Sequence, residues 1–153
     1  MMRYLSITLG LSVVLALATM PAAAQDARYG KQKVVYHLNE KGGDADSAYM
    51  RALGNIKNHI QAVGSGNIEV KVVMHGDGLG ILASAKSNLK LQGEVANLKT
   101  THKVDFLVCK NTLVQRKIDP DKDLFEVFAE DIVPSGVAEL SHLQKQGFTY
   151  IKP

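Results

Sequence analysis

Two rhythms of apolar and polar positions alternate along this chain. Short, nearly continuous apolar runs rich in β-branched and aromatic residues occur at 33–38 (KVVYHL), 68–74 (IEVKVVM) and 105–109 (DFLVC). Such runs predict buried strands. Shorter runs at 131–133 and 148–151 predict a fourth strand and a last one. Between the first two strands, Ala45, Ala48, Leu53, Ile56 and Ile60 recur at three- and four-residue steps, with Leu53 starting a second stretch of the same face. This spacing predicts a helix that Asp46 or Ser47 would cap and that runs to Ala62, with Gly64 suited to the left-handed position after it. Leu91, Val95, Leu98 and His102 line one face of a second helix. Residues 110–117 predict a short helix opening directly after the third strand, and 137–146 a helix stopped by Gly147. Residues 25–32 read as a loose polar arm, 39–43 as a turn and 75–80 (HGDGLG) as a glycine-rich loop. A charged loop with Pro120 is expected at 119–123, while 125–128 is open between helix and strand.

Strands separated by helices require right-handed crossovers, hence a mostly parallel sheet covered on both faces. The expected architecture is one three-layer α/β domain over 33–153 with about five strands. In such sheets the loops at the C-terminal strand ends form the binding edge. That edge gathers His37-Leu38-Asn39, His75-Gly76, Cys109-Lys110-Asn111-Thr112 and Pro134-Ser135-Gly136.

The start of the chain follows a different pattern. Arg3 precedes an apolar run at 5–19, and Pro21-Ala22-Ala23-Ala24 then supplies the small residues that a signal peptidase accepts. This is the pattern of a cleaved secretory signal peptide over 1–24. The run is shorter than the roughly 20 residues that span a bilayer. Export is therefore expected, to the periplasm if the source is Gram-negative, with no membrane association after cleavage.

Composition narrows the classes further. The 153 residues, 46% hydrophobic and 22% charged, suit one ordinary globular domain. A net charge of +3 is too mild to imply a nucleic-acid partner. A single cysteine forbids an intramolecular disulfide and removes zinc-finger and iron–sulfur readings.

Cys109 carries the strongest candidate chemistry. It stands where a strand hands over to a helix, and free N–H donors there, with Lys110 adjacent, favour the reactive thiolate. The alternative is a small buried hydrophobe completing the core strand. His75 ends the second strand at the same edge and could assist as base or cation, or be a structural histidine bonded to a loop carbonyl. Gly76, Gly78 and Gly80 fit a loosened phosphate-loop pattern weakly; tight-turn glycines explain them better. Asp119, Asp121 and Asp123 mimic calcium-loop spacing, but Leu124 stands where the turn glycine belongs and Pro120 sits inside. No metal site and no cofactor are expected.

Four segments carry a family resemblance: KVVYHLNE, VVMHGDGLGIL, FLVCKNTL and DIVPSGVAELSHLQKQGFTYIKP. With them the chain from residue 33 to its end resembles the DsrE/DsrF-like sulfur-relay family, which includes YchN-type proteins. The resemblance implies a flavodoxin- or Rossmann-like unit assembling as trimers or hexamers, with sulfane sulfur carried as a persulfide on Cys109. Relay members act in the cytoplasm, and the leader sets this chain apart from them. The implied reading is a sulfurtransferase-like carrier exchanging sulfur with a thiol or persulfide partner, protein or small molecule. Lys110, Asn111, Thr112 and Gly76 would surround the sulfur. The competing reading is a non-catalytic ligand-binding or assembly module in which Cys109 is structural.

Overall fold

The computed structural model describes residues 26–153. The leader expected at 1–24 lies outside the described residues. Within the expected arm, Asp26–Tyr29 forms one helical turn, α1, and the first strand, β1, begins at Gln32 (Gln32–Leu38). The following elements are α2 (Ser47–Val63), β2 (Ile68–Met74), α3 (Gly80–Ser84), α4 (Leu89–Thr100), β3 (Asp105–Cys109), α5 (Lys110–Arg116), α6 (Pro120–Asp123), β4 (Ile132–Val133), α7 (Gly136–Lys145) and β5 (Thr149–Ile151).

The sheet is parallel throughout, in the order β4-β3-β2-β1-β5. Alternation along each strand sends side chains to two cores. Val34, Tyr36, Val70, Val72, Met74, Phe106 and Val108 pack under α2, α3 and α4 with Leu53, Ile56, Leu91 and Leu98. Val35, Val73 and Leu107 point the other way, against Leu140 and Leu143 of α7 and Phe148. The three-layer α/β expectation is met, with one helix covering the second face.

Several local expectations change. Asp46 precedes α2 but does not cap it; its φ is 58°, and its carboxylate accepts from Ser84 Oγ (2.9 Å) and Asn88 Nδ2 (3.0 Å) instead. That ties the start of α2 to the α3–α4 turn. The glycine-rich loop is a 3-10 turn at Gly76–Leu79 running directly into α3. Gly78 is required by close backbone approach: a Cβ there would lie 2.0 Å from the Leu38 carbonyl oxygen. The loop glycines thus seat the turn on the end of β1, in keeping with the tight-turn reading. The charged loop at 119–123 contains a helical turn, with Pro120 at its first position and Asp119 accepting from the amides of Asp121 and Lys122. His102 lies beyond the end of α4, two residues past Thr100. Residues 125–128 are neither helix nor strand; Val127 is buried and Phe125 packs against the larger core, leaving Phe128 55% exposed.

Candidate functional site

Parallel pairing sets the site. Val73 is level with Leu107 and Met74 with Val108, so one step further His75 and Cys109 leave adjacent strands side by side. Alternation puts them on the same face, above Val73 and Leu107 and toward α7. His37 follows Val35 onto that face from β1, level with Val73. Three chemically capable residues therefore come from three neighbouring strand ends, about 4.8 Å apart per strand.

Gly136, the first residue of α7, closes the site over them. A Cβ at this position would lie 3.0 Å from His75 Cβ and 3.3 Å from Cys109 Cβ. Only a glycine lets the start of α7 approach this closely. The helix is set there by Ser135, whose hydroxyl accepts from the Ala138 amide at 3.4 Å.

Cys109 is 4% exposed and lies immediately before α5. Burial pushes its thiol up, but the N–H of Gly136, the hydroxyl of Thr112 and the N–H groups of Thr112 and Asn111 favour the thiolate. The balance holds the thiol below its ordinary value. Thr112, itself 6% exposed, has a second role: its Oγ1 accepts from the Gly76 N–H at 3.0 Å. One buried hydroxyl thus links the turn after β2 to the sulfur after β3. Gly76 adopts φ 54°, which glycine tolerates without strain. Lys110 and Asn111 are exposed at the start of α5.

His75 directs its Nε2 to His37 Nε2 at 2.7 Å, with the two rings stacked 4.8 Å apart. One of these nitrogens donates and the other accepts. His37 Nδ1 meets the Tyr150 hydroxyl at 2.7 Å. Burial lowers the pKa of both histidines, with Lys152 adding to the effect on each and His75 further lowering His37. Both rings are thereby shifted toward the neutral form, and His75 stands beside the thiol on the neighbouring strand end.

All six expected site residues (Cys109, His75, Gly76, Lys110, Asn111 and Thr112) stand at the C-terminal edge of the sheet. The Gly76 N–H bonds to Thr112 Oγ1, which joins the turn after β2 to α5, and Cys109 lies beside them under Gly136. Sequence reasoning missed the roles of Gly136, His37 and Tyr150. The row of strand ends contained the first two, but no local signal marks a glycine for close helix approach or pairs two distant histidines. Among the described residues, no group of three or more His, Cys, Asp or Glu side chains could hold a metal ion.

Comparison with known proteins places this arrangement in context. A family model described as the DsrE/DsrF-like family matches residues 32–153. No curated protein matches the chain. Among solved structures, MTH1491 from Methanobacterium thermoautotrophicum, a protein of unknown function, is similar at 28% identity with a TM-score of 0.66. The match covers 80% of this chain and 100% of that one.

Proposed function

The chain belongs to the DsrE/DsrF-like family, which supports a sulfur-relay type of function, and from that premise we propose an exported carrier that holds sulfane sulfur as a persulfide on Cys109. The observation that carries this reading is geometric: a buried sulfur sits at the strand-to-helix turn that opens α5, beneath Gly136 at the start of α7 and beside His75, so that two helix starts face it. A cysteine serving as a small hydrophobe needs no such surroundings, whereas a thiolate or persulfide anion is favoured by them.

The chemistry is a balanced exchange. The Cys109 thiolate attacks the outer sulfur of a donor persulfide or polysulfide. A new sulfur–sulfur bond forms at Sγ, and the donor's own sulfur–sulfur bond breaks with its electron pair leaving on the donor thiolate, or on a polysulfide shortened by one sulfur. An acceptor thiolate then attacks the outer sulfur on Cys109 and releases the Cys109 thiolate. No external oxidant or reductant is consumed. With no second cysteine in the chain, the acceptor is another protein or a small thiol.

Burial of Cys109 to 4% favours a second reading, in which the residue is structural and the domain only binds or assembles. In either case we place this protein in a homo-oligomer, trimer or hexamer. Val114 at 70%, Val137 at 64% and Phe128 at 55% exposure supply apolar surface for contacts.

Native mass spectrometry of the exported protein after exposure to polysulfide tests these points together. The subunit should begin at Gln25, assemble beyond a monomer, and gain mass in steps of one sulfur that a reductant removes. Cys109→Ser should assemble equally and gain none. Absence of sulfur addition to the folded parent protein refutes the carrier reading and leaves the structural one.

A further inference from the structure

A cleft opens at the tip of β1, on the side of α2. It has a volume of about 380 Å³, within the range of small-molecule sites. Leu38, Ala48 and Ala52 give it apolar walls, and Asn55 and Asn58 add amides from successive turns of α2. Three cationic side chains line it, Lys41, Arg51 and Lys152, against one acidic side chain, Glu40. Glu40 is already engaged by Lys152 at 2.9 Å. Among the described residues, Lys41 and Arg51 have neither an ion-pair nor a hydrogen-bond partner.

Gly54 reinforces the reading. It lies inside a long helix, where glycine costs stability relative to alanine. Nothing stands within 4 Å of where its Cβ would be, so packing does not require it. It also lines the cleft, and the room it leaves adds to the cleft's volume.

We propose that this cleft binds a small organic acid, its apolar body against Leu38, Ala48 and Ala52 and its acid group held by Arg51 and Lys41. Apolar walls with unpaired cations at the rim match an amphiphilic anion. A neutral apolar ligand would leave the cations unused, and an inorganic anion would leave the walls wet. The site does not depend on sulfur chemistry at Cys109, although His37 borders both.

The test uses the complete protein and two probes of nearly equal shape, 3-phenylpropionate and its uncharged amide, 3-phenylpropionamide. Isothermal titration calorimetry should detect the acid with Kd of about 1 mM or tighter and the amide at least about tenfold more weakly. Exposed charge contacts are modest, so Arg51→Gln and Lys41→Gln should each weaken acid binding about three- to fivefold, and together about tenfold or more. Gly54→Leu should abolish binding by filling the cleft while leaving thermal stability equal or higher. Cys109→Ser should bind the acid as the parent does, which separates this site from the sulfur carrier. Equal binding of acid and amide, binding of inorganic sulfate as tight as that of the acid, or unchanged binding in the double variant or in a folded Gly54→Leu would each overturn the proposal.

Discussion

Thr112→Val isolates the hydroxyl that joins the two halves of the site. Valine keeps the shape and β-branching of threonine while removing one donor and one acceptor. The acceptor side takes the Gly76 N–H at 3.0 Å, and the donor side serves the Cys109 sulfur. Leaving the Gly76 N–H without its partner costs about 1–3 kcal/mol; partial solvent access at Gly76 puts the expected value at the low end. A hydrogen bond to a charged acceptor is worth about 1.5–3 kcal/mol, and one pKa unit is about 1.36 kcal/mol. Loss of the hydroxyl should therefore raise the Cys109 pKa, and the low end of that range corresponds to about a tenfold drop in the thiolate fraction below the midpoint. Iodoacetamide alkylation of the folded protein, followed by mass across a pH series, reads this directly. Below the parent midpoint the variant should react about tenfold more slowly. Thr112→Ser, which keeps the hydroxyl, should restore the parent midpoint.

Stability should move in step with this change. Because the folded thiol ionises below its unfolded value, the native state binds fewer protons across the window between the two. Parent stability then rises with pH through that window, is full above the unfolded thiol pKa, and is lost as pH falls through the folded one. Thr112→Val should show a smaller rise in urea midpoint over the same window. An unchanged alkylation midpoint in a folded Thr112→Val would refute the assignment of this hydroxyl to the sulfur.

Two further outcomes are expected. Gly136→Ala places a methyl 3.0 Å from His75 Cβ and 3.3 Å from Cys109 Cβ, both anchored at strand ends that yield little. It should cost about 1–3 kcal/mol in urea unfolding and slow sulfur loading, and a variant as stable as the parent would contradict the close helix approach. Burial holds His37 and His75 neutral in the folded state, so the unfolded chain takes up protons first as pH falls. This contribution to stability is present above the ordinary histidine value near 6.5 and is lost as pH falls through the lowered folded values. His37→Gln should flatten the fall in urea midpoint between about pH 7 and 5; a variant as acid-sensitive as the parent would exclude the pair as its source.

The sequence alone was enough to place the strands and most helices, because each is written in local periodicity. A run such as IEVKVVM can bury both of its faces only as an interior strand, and the three- and four-residue spacing from Leu53 to Ile60 can bury only one face of a helix. The same pattern determined that His37, His75 and Cys109 stand at one edge of the sheet, since each lies within one residue of its strand's C-terminal end. Strand order was not legible. A right-handed crossover sets the hand of a connection but not which strands become neighbours, and that choice follows from the total apolar area buried under α2, α4 and α7. On it depend the adjacency of His75 and Cys109 and the pairing of His75 with His37. The position of Gly136 over both depends on how α7 docks, through Leu140 and Leu143, on a face built by residues distant in sequence. Thr112 reads locally as an ordinary helix residue; only the fold brings the Gly76 amide to its hydroxyl, because hydrogen bonds between separate loops form after packing has set the distances and leave no periodic trace in the chain.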